Sequence, residues 1–421
     1  MNLLKINPRL LNGEVNIPPS KSMAHRAIIC ASLSNGFSTI ENIDLSDDII
    51  ATIEGMKSMG AIINIKDKTV MIQGINTFEK KDITIDCNES GSTLRFLVPI
   101  SIINENKVRF IGKGNLGKRP LKTYYDIFDE KHINYNFKEN ILDLTIEGRL
   151  KSGEYRVNGN ISSQFISGLL FSLPLLEDAS RLIITTELES RGYIDLTLSV
   201  MKDFGVDIEN KRYREFIIKG NQIYKPRNYS VEGDYSQGAF FLCAGAIGND
   251  IKCFRLNEKS LQGDKEVISI LKAMGANIFN NEYIKAEKDN LKGTIIDGSQ
   301  CPDIIPILTV VAALSEGVTI IENASRLRIK ECDRLKAIST ELNKIGANII
   351  EKEDGLIING ASEFTGGEVY SWDDHRIAMA LAIASTRCKE SLIIRNPMCV
   401  KKSYPSFFED FKALGGEYSY L

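Results

Sequence analysis

A two-domain α/β fold is the architecture this sequence predicts, and three observations carry it: the length, a repeated phrase, and the alternation after each copy of that phrase. A chain of 421 residues exceeds what one hydrophobic core usually supports, so two domains are expected. The phrase is the end of an amphipathic helix, Met/Leu-x-x-Met/Leu-Gly. It stands at residues 56–61, 201–206, 271–276, 342–347 and 411–416, with a weaker copy at 128–133 in which His132 takes the glycine's place. The six copies lie about seventy residues apart and account for the whole chain.

Glycine suits each of these helix ends because it enters the left-handed region without a Cβ penalty. After each marker come two short runs of alternating apolar and polar residues, such as 61–65 and 69–72, which predict a β-hairpin. Each unit is then a small α/β layer, large enough to be a compact subdomain, and the units are expected to cluster instead of forming a rod. No Pro/Ser-rich linker divides them. The best breaks are Pro18-Pro19 and the stretch Lys225-Pro226-Arg227-Asn228-Tyr229 before Val231-Glu232-Gly233-Asp234.

Composition narrows the function by exclusion. Apolar residues at 43%, charged residues at 25% and a net charge of -3 describe an ordinary globular protein, with no excess charge suited to nucleic acid or a membrane surface. Residues 1–9 lack the apolar core of a signal peptide, and no later run is long enough to span a bilayer. Eight cysteines are scattered without a Cys-x-x-Cys pair, which suits reduced thiols in the cytoplasm. His25, His132 and His375 lie far apart, so neither a transition-metal site nor a metal cofactor is expected.

The stretch most suited to chemistry is Pro18-Pro19-Ser20-Lys21-Ser22-Met23-Ala24-His25-Arg26. Two prolines stop an extended segment, Ser20 caps a helix, and the unpartnered first-turn amides attract anions beside Lys21 and Arg26. Asn88-Glu89-Ser90-Gly91-Ser92-Thr93-Leu94-Arg95 repeats the logic before an apolar helix expected over 96–103. Ile161-Ser162-Ser163-Gln164-Phe165 does so before the apolar run 166–175. Taken singly, each is a capped helix. Three in successive units can turn equivalent helix ends toward one place and add their partial charges.

Cations recur at Lys118-Arg119-Pro120, Arg328-Ile329-Lys330-Glu331-Cys332-Asp333-Arg334, Asp373-Asp374-His375-Arg376 and Lys401-Lys402-Ser403-Tyr404-Pro405. A charge run is usually a solvated face, but these are interleaved with acids at the openings of apolar segments. Arginine holds carboxylate and phosphate bidentately, so the set suits a small substrate carrying both groups. Gly112-x-Gly114-x-x-Gly117 matches a dinucleotide fingerprint. Pro120 sits where its helix should already run and no βαβ unit opens the chain, so a glycine-rich loop presenting Arg119 is the better reading.

Together Pro19-Ser20-Lys21-Ser22-x-x-x-Arg26, Gly91-x-x-x-Arg95, Arg119-Pro120, Ser162-Ser163-Gln164, Lys330-Glu331-x-Asp333-Arg334-Leu335, Asp374-His375-Arg376-Ile377-Ala378-Met379 and Lys402-Ser403-Tyr404-Pro405 resemble the 5-enolpyruvylshikimate-3-phosphate synthase family of enolpyruvyl transferases. The motifs stand in family order from residue 18 to 405. The resemblance implies a two-domain inside-out α/β barrel-like fold of six βαβαββ units, three per domain, with the active site in the interdomain cleft. One domain would be 18–230, inserted into a discontinuous one made of 1–17 and 231–421. It also implies transfer of the enolpyruvyl group of phosphoenolpyruvate to the 5-hydroxyl of shikimate 3-phosphate, releasing phosphate by addition and elimination through a tetrahedral intermediate. Neither cofactor nor metal is implied. The expected partners are the two small substrates, with no nucleic acid or membrane, and the expected state is a cytoplasmic monomer.

Carried over position by position, Lys21, Gly91, Arg119, Gln164, Arg334, Arg376 and Lys402 resemble the residues that hold phosphoenolpyruvate. Ser22, Arg26, Ser162, Ser163, Gln164, Ser190, Tyr193, Asp303 and Lys330 resemble those that hold shikimate 3-phosphate. Asp303 would accept the 5-hydroxyl proton, and Glu331 with Lys21 would protonate and then deprotonate the methylene carbon. Two positions depart from the family: Glu89 and Arg326 stand where it usually has asparagine. Gly91 is kept, while Phe96 replaces a proline common among members sensitive to glyphosate. The sister enzyme acting on UDP-N-acetylglucosamine is the nearest rival, but its loop cysteine is missing, Gly114 standing in its place. A non-catalytic repeat scaffold is the rival from another class, and the retained Lys21, Asp303, Glu331 and Arg376 argue against it.

Overall fold

The computed structural model describes residues 3–75, 77 and 82–421. Its contacts divide the chain into two compact units, Pro19–Glu232 and the pair Met1–Pro18 with Gly233–Leu421. Among the described residues six α-helices lie in the first, called here the inserted unit: α1 (Lys21–Leu33), α2 (Asp47–Ser58), α3 (Gly91–Ser101), α4 (Lys122–Lys131), α5 (Ser163–Ser172) and α6 (Arg191–Asp203). Six more lie in the discontinuous unit: α7 (Tyr235–Ala246), α8 (Val267–Ala273), α9 (Ile305–Ala313), α10 (Arg334–Lys344), α11 (His375–Ala384) and α12 (Phe407–Ala413).

Among the described residues the strands form six four-stranded sheets, and one module explains them. In the inserted unit, strand Asp82–Asp86 leads through α3 to the parallel strand Asn106–Ile111. Helix α4 then leads to the hairpin Asn134–Phe137 and Asp143–Gly148, whose second strand pairs antiparallel with Asn106–Ile111. This is βαβαββ. Glu154–Val157, α5, Ser180–Ile184, α6 and the hairpin Glu209–Lys211 with Glu215–Ile218 repeat it. The module holding α1 and α2 takes its first strand from far along the chain, because Asn228–Ser230 pairs parallel with Phe37–Glu41. In the discontinuous unit the reverse happens: Asn12–Asn16 supplies the first strand beside Asp250–Phe254.

The first helix of each module is apolar on nearly every side and the second is amphipathic. In α9 every residue is buried, and in α11 likewise, as a helix without a polar face must be. Each sheet turns one set of alternating side chains inward: Ile63, Val70 and Ile72 are buried, while Ile62 and Ile65 are 64% and 40% exposed. Helices therefore fill the interior of each unit and sheets coat it. At the crossing of α3 and α5 a Cβ on Gly168 would lie 2.3 Å from the Arg95 carbonyl oxygen, so only glycine lets the two helices approach this closely. That carbonyl is open because Pro99, one turn on, has no N–H to offer it. The Tyr124 hydroxyl donates to it instead.

Three sequence expectations need correction. Helix α3 begins at Gly91 and not near Phe96, because the Ser90 hydroxyl accepts from the Thr93 N–H and starts the helix there. The basic segment around Lys402 opens no helix directly: it is a 3-10 turn, Pro397–Lys402, and α12 starts only at Phe407. After Gly415 there is no hairpin. The single strand Glu417–Tyr420 pairs antiparallel with Leu3–Asn7, which also pairs with Leu392–Arg395 and so closes the last sheet. The other repeat markers behave as their residue types require. Gly60, Gly205, Gly275, Gly346 and Gly415 have φ between +84° and +111°, and His132, in the weak copy, has φ +56°.

His132 is exposed and holds a conformation that glycine adopts more cheaply. Replacing His132→Gly should raise the unfolding free energy by about 0.5–1 kcal/mol; thermal denaturation read by circular dichroism checks this, and an unchanged or lowered midpoint contradicts it.

Candidate active site

In the inserted unit the helix openings are tied together by polar side chains. Ser20 caps α1, accepting from the Met23 N–H at 3.4 Å. Lys21, the next residue, donates through Nζ to Asp48 Oδ2 at 2.7 Å, and Asp48 stands in the first turn of α2, where a carboxylate is favoured. The Asp48 carbonyl accepts from Thr93 Oγ1 of α3 at 3.3 Å. Ser162 caps α5. Beyond it Gln164 bridges back to α3: its Nε2 donates to Ser92 Oγ at 2.9 Å, and its Oε1 accepts from Arg95 Nη1 at 2.7 Å. The openings of α1, α3 and α5 are thus one connected region, as the repeated capping motifs lead one to expect.

Gly91 has a steric duty there. A Cβ on it would lie 2.6 Å from Arg119 Nη1, so the bare Cα leaves room for that guanidinium. Arg119 follows the glycine loop 112–117 and a single 3-10 turn, Leu116–Lys118; α4 starts only at Lys122, so the loop opens no helix as a dinucleotide site would require. Glu89, one of the two departures, packs its carboxyl against Gly114 of this loop, 2.6 Å from where a Cβ would stand.

Arg26 is buried, and three of its five N–H groups hold the surrounding backbone and side chains. Its Nη1 donates to the Ser22 carbonyl at 2.6 Å, Nη2 to the Tyr193 carbonyl at 2.9 Å, and Nε to Thr197 Oγ1 at 2.8 Å. It thereby ties the opening of α1 to that of α6, where Ser190 holds φ +55° just before the helix. Burial lowers the Arg26 pKa to about 10, leaving it cationic near neutrality.

The discontinuous unit gathers its candidates around Arg334, at the start of α10. The side chain is 2% exposed and each guanidinium nitrogen meets a different carboxylate. Nε donates to Asp374 Oδ2 at 2.8 Å, Nη1 to Asp303 Oδ1 at 2.9 Å and Nη2 to Glu331 Oε2 at 2.7 Å. Asp303 lies in the 3-10 turn Pro302–Ile304 that leads into α9, and Lys330 Nζ reaches the same oxygen at 3.3 Å. Arg376, in the first turn of α11, approaches Asp303 Oδ2 at 3.5 Å. The opening of α7 fixes it: Nη1 and Nη2 donate to Ser236 O and Oγ at 2.9 and 2.7 Å. Lys402 donates to the Asp373 carbonyl at 2.9 Å. Arg326, the second departure, is buried in the turn Ser325–Ile329 before Lys330.

Electrostatics follow from this crowding. Burial pushes the Asp303 carboxyl up, but Lys330, Arg376 and Arg334 outweigh it and hold the group well below the usual carboxylate range. Burial opposes the charge of Arg334, and Asp374, Glu331 and Asp303 overcome it, so the guanidinium is fixed as a cation. Burial lowers the Lys330 pKa, with Asp303 opposing. Each candidate thus sits with the others of its own unit. Asp48 and Ser236 were not singled out from sequence, and Asp374 stood in a motif without a role of its own, although doubled acids in the first turn of α2 and the Asp-x-Ser opening of α7 are both helix-start patterns. Among the described residues, no group of three or more His, Cys, Asp or Glu side chains is arranged to hold a metal ion, and no helix is long and apolar enough to cross a membrane.

The comparisons with known proteins point one way. The family model for EPSP synthase (3-phosphoshikimate 1-carboxyvinyltransferase) matches residues 6–411. A protein of Clostridium perfringens described as 3-phosphoshikimate 1-carboxyvinyltransferase is 66% identical over 419 residues, covering 99% of each chain. One of Clostridioides difficile with the same description is 63% identical over 428 residues, covering 99% of this chain and 98% of the other. Among solved structures, an EPSP synthase from Acinetobacter baumannii superposes with a TM-score of 0.81 at 25% identity over the full length of both chains. The enolpyruvyl transferase NikO from Streptomyces tendae shares the fold with the same TM-score at 16% identity, over 100% of this chain and 99% of its own.

Asp374 is fully buried, caps α11 and neutralises Arg334. Asp374→Ala should therefore cost about 3 kcal/mol of unfolding free energy, the usual loss when one partner of a buried pair is removed. Urea unfolding measures it, and a loss under about 1 kcal/mol would mean that Asp303 and Glu331 suffice to hold the arginine.

Proposed function

The chain belongs to the EPSP synthase family, and on that premise we propose how its residues divide the work of the reaction. The chain is a 3-phosphoshikimate 1-carboxyvinyltransferase: it transfers the enolpyruvyl group of phosphoenolpyruvate to shikimate 3-phosphate in aromatic amino acid biosynthesis. The acceptor atom is the 5-hydroxyl oxygen, and phosphate leaves in the second half of the reaction.

The single observation that carries the assignment of roles is Arg334 held between Asp303 and Glu331, at 2.9 and 2.7 Å. Addition across the double bond of an enol phosphate needs a base on the attacking hydroxyl and an acid on the methylene carbon at the same time. Two carboxylates flanking one cation suit that pair of tasks. Asp303 takes the hydroxyl proton, Glu331 delivers a proton to the methylene carbon, and the new C–O bond gives a tetrahedral phospho-ketal. Elimination takes a proton back from the methyl group so formed, onto whichever of Lys21 and Glu331 gave one up in the addition, and breaks the C–O bond to phosphate. Asp48 holds the Lys21 Nζ in place.

A carboxylate held as low as Asp303 is a weak base. Its cations, Arg334, Arg376 and Lys330, are those that take the anionic groups of the substrates, so binding diverts their charge and raises the basicity of Asp303 where it is needed. Arg334, Arg376 and Lys402 hold phosphoenolpyruvate, with Lys21, Gly91, Arg119 and Gln164 from the inserted unit. Ser22, Arg26, Ser162, Ser163, Gln164, Ser190, Tyr193, Asp303 and Lys330 hold shikimate 3-phosphate. Gly91 serves by its lack of a side chain, which leaves Arg119 its place. No cofactor takes part. A monomer acting in the cytoplasm is the state proposed, and the eight free thiols suit a reducing compartment.

The test is phosphate release from phosphoenolpyruvate by the purified protein, with shikimate 3-phosphate and in parallel with UDP-N-acetylglucosamine as acceptor. Release with the former alone is expected; release with the latter alone would overturn the reading. Glu331→Gln and Asp303→Ala should each keep the wild-type circular dichroism spectrum while turnover falls by roughly 10²–10⁴. Wild-type rates in both would remove the acid and base assignments.

A further inference from the structure

We propose that Glu341 is a positioning residue for phosphoenolpyruvate: its buried carboxylate clamps the turn 371–374 and thereby sets the groups that hold Arg334, Arg376 and Lys402. The inference rests on the reading above, in which those three cations bind that substrate. Glu341 lies on α10 about two turns beyond Arg334 and is 1% exposed. A carboxylate at that depth is costly unless its oxygens are engaged. Here Oε1 accepts from Trp372 Nε1 at 2.8 Å and Oε2 from the Tyr370 N–H at 2.9 Å. Lys344 Nζ donates to both oxygens, at 2.9 and 2.7 Å.

The turn that it grips is strained. Trp372 and Asp373 have φ of +54° and +55°, two consecutive residues with side chains in the left-handed region, which persists only where the surroundings fix it. Other groups assist. Ser371 Oγ accepts from the Asp373 N–H at 3.2 Å and donates to the Asn396 carbonyl at 2.9 Å. The Asp373 carboxylate accepts from the Tyr370 hydroxyl at 2.5 Å and from Asn396 Nδ2 at 3.1 Å.

The two residues at the end of this turn do the delivering. The Asp373 carbonyl accepts from Lys402 Nζ at 2.9 Å. The Asp374 carboxylate accepts from Arg334 Nε at 2.8 Å and from the Arg376 N–H at 2.7 Å. Without the Glu341 carboxylate the strained residues relax, and all three cations lose their setting while the openings of α1, α5 and α6 keep theirs. Loss of affinity then falls mainly on phosphoenolpyruvate, because of the residues assigned to shikimate 3-phosphate only Asp303 and Lys330 border these cations.

The chain has one tryptophan, so the fluorescence of Trp372 reports on the turn directly. Glu341→Gln keeps the size but presents an amide NH₂ to one of two N–H groups, and Trp372→Phe removes one donor while keeping a ring. We expect KM for phosphoenolpyruvate to rise about fivefold in Glu341→Gln and about threefold in Trp372→Phe, with KM for shikimate 3-phosphate within about twofold of wild type. Trp372 emission should shift in Glu341→Gln, and the double variant should fall short of the summed effects. Unchanged KM for phosphoenolpyruvate in Trp372→Phe and in folded Glu341→Gln overturns the proposal, as does a parallel rise of both KM values with a lowered melting temperature. If Glu341→Gln does not fold, Trp372→Phe decides alone. Lys402→Met is measured alongside: an unchanged KM for phosphoenolpyruvate there sinks the underlying reading, whereas a raised one beside silent Glu341 and Trp372 variants sinks only the clamp.

Discussion

The guanidinium of Arg334, buried and shared among Asp303, Glu331 and Asp374, is the interaction on which the rest of the discontinuous unit's chemistry depends. An arginine at this depth is stable only with its charge answered, and carboxylates at this depth only with theirs. Each group is therefore the reason the others can be there. The arrangement also stores a choice: a ligand phosphate or carboxylate competes for the same fork that now holds the acids. On the proposed assignment of roles, substrate recognition and the freeing of Asp303 and Glu331 are in this way one event.

Repetition of a single module explains why such clusters form at all. In βαβαββ the first helix is apolar on nearly every side, and in α9 and α11 almost its only polar groups stand at its end. Six modules supply six such ends: Ser20, Ser90, Ser162, Asp234 and Asp374 cap five of them, and cations stand in the first turn of α1 and of α11. In the inserted unit the ends of α1, α3 and α5 are laced by Asp48, Thr93 and Gln164. In the discontinuous unit those of α7 and α11 are laced through Ser236 and Arg376, and Asp303 at the opening of α9 joins the same set.

The repeat, its period and the capped helix openings were legible in the sequence because they depend on local rules: a left-handed helix end, an alternating hairpin, a capping hydroxyl; the βαβαββ order and residues such as Asp303, Ser190 and Tyr193 were reached only through the family resemblance. The failures had nonlocal causes. Nothing local tells that the strand before α1 pairs beside Asp250–Phe254, or that Leu3–Asn7 replaces a hairpin strand in the last sheet. Helix α3 was placed too late because hydropathy marks the apolar run and not the serine that starts the helix. Glu341 was invisible as a functional residue: on α10 it reads as one more polar side chain of an amphipathic helix, and only the fold reveals that it faces Tyr370 and Trp372.

The closing of the last sheet by Leu3–Asn7 bears on how a ribosome can make this protein. That strand is synthesised long before both its neighbours, Leu392–Arg395 and Glu417–Tyr420. Until those neighbours emerge its N–H and C=O groups have no ladder on either side, an open edge of the kind that invites mispairing. Asn12–Asn16 waits until Asp250–Phe254 appears, and the inserted unit likewise lacks the first strand of one sheet until residue 228 has emerged. Native pairing of Leu3–Asn7 thus waits for strands far along the chain, and Lys5 within the strand and Arg9 just beyond it carry charge through that interval.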